Sequence, residues 1–437
     1  MHISLKWRTL FFLIACLMTL GSPIIAADNA HTVKSWSPWM EETASLQIDA
    51  KILPTLLVEP LLANVSVAWA DHWNNQNPAD KWSDLTIEMI LKYRVNPLRA
   101  GRALTLVNVV QHDALILAIR HSLGPPGRQA AVHLAAANML AQLFPLESPG
   151  HIAALGAIAL AATEWRYPHP QAIAEISMGR EIAQRVAAIA IIRAQSDRSD
   201  EVWDARNRPK PAEGIWQSTP PLESAQPQEA LAGQWRTWVL RDGAYIQPTS
   251  PPASDSAEVK KATREVLEVF RHLTPAQKKI ADDWHLDQGS ATPPGVWNLK
   301  ARALADKQNF SNEARTQMYA ALNVAMMDAA IACWHAKYTW WTARPITLIR
   351  EQMAPNFLPY LVTPPHPSYT SGHASVSGAA SEVLKKFFPD EQKSIDQWAE
   401  EAAMSRLYGG IHFRHDNEAG LVLGRKIGQL VVTRLNQ

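Results

Sequence analysis

Cysteine is nearly absent from this sequence of 437 residues. Only Cys16 and Cys333 occur, and Cys16 lies in an N-terminal stretch that we expect to be removed. Cys333 would then have no partner, so the mature chain would contain no internal disulfide. Stability must therefore come from burial of apolar side chains, which a chain of this length permits.

A strong charge of either sign is also lacking. The 42 Lys and Arg residues balance 41 Asp and Glu residues, which gives a formal net charge of +1. General attraction to nucleic acid or to an acidic membrane surface is therefore not indicated. Beyond the N-terminal stretch, no run of about 18 uninterrupted apolar residues occurs, so the sequence predicts no transmembrane helix.

The N-terminus is typical of a secretory signal peptide spanning residues 1–27. A basic region ends at Arg8, residues 10–20 form an apolar core, and a cleavage site precedes Asp28. We therefore expect an exported protein, periplasmic or secreted. A lipoprotein anchor through Cys16 is the weaker alternative, because the residues after it stay apolar where an anchored protein usually has a polar tether.

Apolar residues recur at helical spacing along most of the chain, and convincing strand pairs are absent. This pattern predicts an all-α fold: an N-terminal helical bundle (28–203), a Pro-rich irregular connection (204–255) and a C-terminal helical bundle (256–437). Within the first bundle, the pattern predicts helices over 98–122, 128–144, 151–165 and 172–195.

The two bundles share sequence features in the same order. Asn108 and Asp113 recur 215 residues later as Asn323 and Asp328. Two further matches follow, pairing 135–145 with 379–389 and 179–186 with 424–431. We interpret these matches as an internal duplication, with chance similarity between Ala-rich helices as the alternative. Because the later offsets are larger, the second copy carries extra residues over roughly 337–370.

The first of three chemical clusters is "WHAKYTWWTARP" (334–345). The spacing predicts Lys337 and Arg344 on one helical face, with Pro345 ending the helix. Aromatic neighbours would desolvate both cations, and a desolvated cation needs an anion. The alternative is a solvated basic face.

The second cluster is "HPSYTSGHASVSG" (366–378), just where a helix is predicted to begin. Ser371 supplies a hydroxyl group, and Gly372 lets a backbone N–H approach a ligand closely. His373 can act as an acid or a base near neutral pH. The alternative is a Ser N-cap with an incidental His.

The third cluster is "SRLYGGIHFRHD" (405–416), which contains Arg406. His412 and Asp416 are four residues apart, so one helical turn is expected to stack them. The carboxylate would then fix the tautomer of the imidazole. A surface ion pair is one alternative, and a divalent-metal site with His415 is another, although the neighbouring cations oppose a metal cation.

Together the three clusters predict a cage for a tetrahedral oxyanion. Three cations, a hydroxyl and a backbone N–H would bind its oxygens, while His412 approaches the central atom and His373 moves a proton. The corresponding positions of the first bundle are Ser122, Gln129 and Gln171, so the cage is predicted only in the second bundle.

The motifs K-x6-RP, PSxxSGH and SR-x5-H-x3-D resemble the three signatures of the vanadium haloperoxidase and type 2 phosphatidic acid phosphatase superfamily. Length and the duplicated bundle favour the soluble haloperoxidase-like branch. The resemblance implies vanadate bonded to His412, and it implies that hydrogen peroxide oxidises halide. The implied oxygen-binding residues are Lys337, Arg344, Ser371, Gly372 and Arg406.

The resemblance also places Trp334 and His366 in a halide pocket, where His favours bromide or iodide. In the phosphatase branch the same cage binds phosphate, so a soluble acid phosphatase acting on small phosphate esters is the alternative. A non-catalytic oxyanion-binding protein is a third hypothesis, and a homo-oligomer is compatible with each. Thr370 departs from the family pattern, which often has Pro at this position.

Overall fold

The computed structural model describes residues 36–46, 77–147, 150–224 and 226–436. The expected signal peptide and Cys16 lie outside these ranges. The described residues form fourteen α-helices and no β-strand, which confirms the all-α fold. The helices are α1 (Glu41–Ala44), α2 (Pro78–Lys92), α3 (Pro97–Arg120), α4 (Pro125–Leu143), α5 (His151–Arg166), α6 (Pro170–Gln195), α7 (Ala257–Arg271), α8 (Pro275–Asp283), α9 (Thr292–Lys307), α10 (Asn312–Trp340), α11 (Pro345–Gln352), α12 (Gly372–Phe387), α13 (Gln392–Tyr408) and α14 (Arg414–Leu435).

The four helices predicted in the first bundle match α3 to α6 within a few residues at each end. Their starts follow ordinary capping chemistry. Asn96 precedes α3, and its side chain accepts hydrogen bonds from the backbone N–H groups of Leu98 and Arg99. Pro97 then occupies the first helical position, where its missing N–H is of no consequence.

One continuous apolar core joins the two halves of the chain. Helices α3 and α10 pack against each other near its centre, where the Thr105 hydroxyl donates to the carbonyl of Asn323 over 3.1 Å. Within the described ranges, α3 alone is long and apolar enough to suit a membrane span. However, 94% of its most apolar stretch is buried inside the protein, so it serves as a core helix.

The matched asparagines occupy similar environments in the two halves. Asn108 Oδ1 accepts a hydrogen bond from Ser83 Oγ on α2, and Asn323 Oδ1 accepts one from Asn298 Nδ2 on α9. Both amides also donate to the carbonyl four residues earlier in their own helix. These local matches support the proposed duplication, which a superposition of 98–195 on 311–434 would test.

The matched aspartates also have similar roles. Each buried carboxylate accepts hydrogen bonds from backbone N–H groups of an irregular segment. Asp113 binds the N–H groups of Trp39 and Met40. Asp328 binds those of Trp238, Val239 and Leu240. In each half, a central helix therefore binds an irregular segment that precedes it in sequence, and it does so through the matched aspartate.

The Pro-rich connection contains no α-helix in its described residues, and it packs on the second bundle. The Trp216 N–H donates to the carbonyl of Trp341 over 2.6 Å, and the Tyr369 hydroxyl donates to the carbonyl of Thr249 over 2.5 Å. Two short 3-10 turns, Ala205–Asn207 and Ala232–Gln234, interrupt it. The connection thereby covers the segments that carry the first two chemical clusters.

We expect Asn108→Ala and Asn323→Ala to destabilise the protein to a similar degree, about 1–3 kcal/mol each, because each leaves a buried hydrogen-bonding partner unsatisfied. Urea denaturation would measure both, with the exposed Asn207→Ala as a control that should change stability little. A neutral effect at one asparagine and a severe effect at the other would contradict their equivalence.

Candidate functional site

The three chemical clusters meet where the ends of five helices come together. Lys337 lies in the last turn of α10, Arg344 immediately precedes α11, and Ser371 immediately precedes α12. Arg406 lies in the last turn of α13, and His412 stands just before α14. Helix ends leave backbone groups free for ligands, so this junction suits a binding site.

The predicted helical arrangement of Lys337 and Arg344 is wrong. Helix α10 ends at Trp340, and Trp341 adopts a left-handed conformation with φ of 49°. Pro345 begins the next helix instead of ending the previous one, because proline is favoured at the first helical position. The turn at Trp341 therefore brings Arg344 back toward Lys337, and helical periodicity plays no part.

Lys337 and Arg344 are fully buried, and backbone carbonyls bind both side chains. Lys337 Nζ donates to the carbonyls of Pro367 and Ser368 over 2.7 and 2.8 Å. Arg344 donates to the carbonyls of His366 and Ile411 over 2.9 and 2.6 Å. Carbonyls orient the two cations but do not neutralise their charge.

The start of α12 has the geometry expected of an anion site. Ser371 is its N-cap, and the N–H groups of Gly372 and His373 occupy helix positions that have no intrahelical acceptor. A Cβ added at Gly372 would lie 3.2 Å from the Trp334 ring, closer than an ordinary contact. Glycine at this position therefore lets the helix start approach the Trp334 wall.

His412 and Asp416 are in contact, but not through a helical turn as predicted. Helix α14 begins at Arg414, so His412 lies before it and Asp416 lies in its first turn. Asp416 Oδ2 is 2.9 Å from His412 Nδ1, and it also accepts hydrogen bonds from Ser368 Oγ and the Phe413 N–H. The carboxylate of a helix start thus orients the imidazole that precedes that helix.

This contact determines which nitrogen of His412 can bind a ligand. Because Asp416 accepts the proton of Nδ1, Nε2 carries the lone pair. Nε2 lies 2.9 Å from Arg344 Nη1, which can donate to it. Nε2 therefore points directly at a buried cation, where an anion would be stabilised.

Arg406 and His373 share a partner that the sequence did not reveal. Arg406 Nη2 and His373 Nε2 lie 2.5 and 3.0 Å from the carbonyl of Trp284. Trp284 follows α8, far away in sequence. Ser368 is the second residue that we missed as a positioning group, although it belongs to the PSxxSGH motif.

Burial disfavours the charged forms throughout the site. It lowers the pKa of Lys337 to about 7, with a further decrease from Arg344. It lowers the pKa of Arg344 to about 10 and that of Arg406 to about 9. Burial and Arg344 also hold the pKa of His412 well below its usual range, so this imidazole is neutral.

A cavity opens in front of the cage. Among the predicted site residues, its walls include Gly372, His373, Arg406 and His412, together with the two predicted pocket residues Trp334 and His366. The rings of the last two are 4.9 Å apart. Lys337, Arg344 and Ser371 are fully buried behind the wall.

The site residues fit an oxyanion better than a metal cation. Asp416 is the only carboxylate among the predicted residues, and it acts on both Lys337 and Arg344. No group of three His, Cys, Asp or Glu side chains in the described ranges is arranged to hold a metal ion. The donor set consists of guanidinium, ammonium, hydroxyl and N–H groups around one imidazole lone pair, which suits vanadate or phosphate.

Sequence and structure comparisons agree with one another. Residues 317–395 and 391–437 match the family described as the VCPO second helical-bundle domain. A curated relative, vanadium chloroperoxidase from Curvularia inaequalis, is 27% identical over 121 residues, which is 22% of this chain and 20% of that protein. The alignment thus spans about one fifth of that relative.

Two solved structures cover much more of the chain. The "first bacterial vanadium dependant iodoperoxidase" has a TM-score of 0.68 and 27% identity, covering 82% of this chain and 96% of that one. A holo-type bacterial vanadium-dependent chloroperoxidase has a TM-score of 0.59 and 15% identity, covering 81% of this chain and 92% of that one. The second of these similarities concerns the fold alone.

We expect anion binding to take up a proton when the pH is above about 7. Lys337 has a pKa of about 7 in the free protein, and a bound anion favours its charged form, so affinity should fall as the pH rises. Isothermal titration with sulfate, in two buffers of different ionisation enthalpy, would count the protons.

Sulfate is a suitable probe because its own charge does not change over this range. The matched variant Lys337→Met should bind sulfate more weakly and without proton uptake near pH 8. Sulfate binding by the unaltered protein without proton uptake at that pH would contradict the assignment of Lys337.

Proposed function

Because the chain belongs to the vanadium haloperoxidase superfamily, we propose that it is an exported vanadium-dependent haloperoxidase. It uses vanadate held by His412 and hydrogen peroxide to oxidise halide, with bromide or iodide favoured. The observation that carries this proposal is the lone pair of His412 Nε2, which faces a buried, positively charged cage.

Five groups would bind the oxygens of the bound oxyanion: the side chains of Lys337, Arg344, Ser371 and Arg406, and the backbone N–H of Gly372. When bound, vanadate supplies a metal centre that activates peroxide toward halide. The cage residues neutralise its charge and hold it against His412, while Asp416 keeps the Nδ1 proton in place.

His373 is suited to accept a proton from peroxide. Burial and the nearby Arg406 lower the pKa of its imidazole well below the usual range, so it is neutral at neutral pH. Its Nε2 lies 3.0 Å from the Trp284 carbonyl and donates to it, which leaves the lone pair on Nδ1. Nδ1 is therefore the proton acceptor in this proposal.

Two observations support bromide or iodide as the substrate halide. His366 packs against Trp334 beside the cage, and its pKa is lowered strongly by burial and by Lys337. A neutral imidazole and an indole ring form a soft, polarisable wall. The similarity to a bacterial iodoperoxidase structure favours iodide within this pair.

The export part of the proposal depends on residues 1–27. Their composition is typical of a cleaved signal peptide. N-terminal sequencing of the protein recovered from the periplasm or medium should begin at Asp28. A lipid-modified Cys16 at the mature N-terminus would instead support the lipoprotein alternative.

The activity is tested on one purified sample, with and without added vanadate. We expect vanadate-dependent formation of triiodide from iodide and hydrogen peroxide, and little hydrolysis of p-nitrophenyl phosphate. Hydrolysis without vanadate, combined with no halide oxidation, would favour the phosphatase alternative. The absence of both activities, together with tight oxyanion binding, would favour a non-catalytic binding protein.

The two histidines should differ in their effects. His412→Ala should abolish vanadate binding and activity, because it removes the imidazole lone pair that would hold the vanadium. His373→Ala should still bind vanadate but lose about 10²–10⁴ in turnover, which is typical of removing an acid–base group. Equilibrium vanadate binding by both variants decides this assignment, and equal loss of vanadate in both would show that it is wrong.

A further inference from the structure

The two carboxylate oxygens of Asp416 have very different surroundings. Oδ2 accepts hydrogen bonds from Ser368 Oγ and the Phe413 N–H, and it lies 2.9 Å from His412 Nδ1. Oδ1 is buried, and it has no hydrogen-bond partner among the described residues. A carboxylate offers about four acceptor positions, divided between its two oxygens. The donors around Asp416 are therefore crowded onto one oxygen, while the other oxygen has none.

This uneven arrangement needs a further interaction to maintain it. A buried oxygen without a donor is unfavourable, and rotation of the carboxylate would relieve the imbalance by moving one donor onto Oδ1. Such a rotation would turn Oδ2 away from His412. His415 Nε2 lies 3.4 Å from Oδ1, slightly beyond the usual range of a hydrogen bond. A small movement of either side chain would therefore give Oδ1 its donor.

Aromatic neighbours hold the ring of His415 beside Asp416. The ring stacks on that of Phe413, with centroids 5.2 Å apart and planes inclined by 14°. The Tyr369 ring lies 6.3 Å away on its centroid, and the hydroxyl of Tyr369 donates to the carbonyl of Thr249. His415 Nε2 is thus kept close to Oδ1, although 19% of the His415 side chain is exposed.

Asp416 and His415 line a second cavity, which we call the back cavity. Glu213 and Ser254 of the Pro-rich connection also line it. Within the described ranges, the back cavity shares no lining residue with the cavity in front of the cage, whose wall includes His412. The hydrogen-bonded pair of His412 and Asp416 therefore spans the wall between two cavities, and His415 approaches this pair from behind.

We propose that His415 is a positioning residue that donates to Oδ1 of Asp416 from the back cavity. This bond keeps Oδ2 turned toward His412, and it thereby keeps the lone pair of the imidazole on Nε2, where an oxyanion would bind. The inference deepens the proposed function and rests on it, because His412 has this role only if the cage binds an oxyanion. His415 occupies an unspecified position in the motif SR-x5-H-x3-D, so the motif assigns it no role.

Two substitutions separate the N–H donor of His415 from its ring. His415→Phe keeps an aromatic ring against Phe413 and Tyr369 but removes the donor. His415→Gln removes the ring but keeps an N–H donor near the end of the side chain. If donation to Asp416 is the role of His415, the Phe variant should be impaired and the Gln variant should resemble the unaltered protein. His415→Leu, which also lacks the donor, replaces the Phe variant if that variant does not fold.

The first measurement is the NMR resonance of the Nδ1 proton of His412 in protein without vanadate. In protein labelled with 15N-histidine, the hydrogen bond to Asp416 should give a downfield signal that is absent from His412→Ala. We expect this signal to move upfield in His415→Phe, because the carboxylate turns and the bond lengthens, and to stay in place in His415→Gln. An unchanged or further downfield signal in His415→Phe would overturn the proposal.

The second measurement is the Kd for vanadate, determined by equilibrium dialysis. His415→Phe should raise the Kd about tenfold, because groups that orient a ligand imidazole have effects of about 10–100-fold, and His415→Gln should raise it much less. Ser254→Ala is the matched control. It changes the wall of the back cavity, but within the described ranges Ser254 makes no hydrogen bond to Asp416, so both readouts should stay unchanged.

The outcomes distinguish this proposal from the proposed function. Equal effects in His415→Phe and His415→Gln, or a larger effect in the Gln variant, would overturn the proposal, because ring packing would then explain the result. If the unaltered protein bound vanadate but oxidised no halide, the proposed function would fail while both readouts would still test His415. If it bound no vanadate at all, the NMR signal of His412 alone would decide the role of His415.

Discussion

Buried positive charge is the constraint on which the rest of the site depends. Lys337, Arg344 and Arg406 are almost completely buried. Asp416 acts on Lys337 and Arg344, and the exposed Asp287 acts on Arg406, so the cations outnumber the carboxylates. Burying cations without full compensation is unfavourable. The pKa values of all three side chains are lowered because burial disfavours their charged forms. Carbonyl groups hold the cations in position without cancelling their charge. An oxyanion is the ligand that resolves this imbalance.

Asp416 connects the second and third motifs. Its side chain accepts hydrogen bonds from Ser368 and from the Phe413 N–H as well as contacting His412. Its backbone carbonyl accepts the N–H of Ser371, the cap of α12. One residue in the first turn of α14 therefore sets the tautomer of His412 and the position of the anion-binding helix start. Ser368 and Ser371 of the second motif are thus both tied to the Asp416 of the third.

The two halves of the chain have matching residues in similar environments, and both contribute to the cavity. Asn108 and Asn323, and likewise Asp113 and Asp328, have similar partners in their own helices and in neighbouring segments. The first half has no cage at the matching positions, yet α3 packs on α10 and forms part of the cavity wall. A half without the chemistry can thus shape the space in which the chemistry occurs.

The sequence alone was sufficient for the helical fold, and it named residues from three separate segments that the structure brings together. Helices follow from apolar periodicity, and Ser371 caps α12 as its position before Gly372 suggested. The local geometry was harder to predict. Lys337 and Arg344 do not share a helical face, because Pro345 starts a helix and Trp341 turns the chain. Periodicity describes neighbours within one helix, and these residues belong to different elements.

Contacts between distant segments were decided only by the tertiary structure. The Trp284 carbonyl that lies beside Arg406 and His373, and the contribution of α3 to the cavity wall, carry no local signal. Every residue has a backbone carbonyl, so the sequence does not show which carbonyl binds a site residue. Likewise, the sequence of one helix does not show which of its residues will line a cavity. Their roles arise when packing of the apolar core brings α3, α8 and α12 to one cavity. Residue type and spacing determined the chemistry available to this protein, whereas core packing determined where that chemistry meets its substrates.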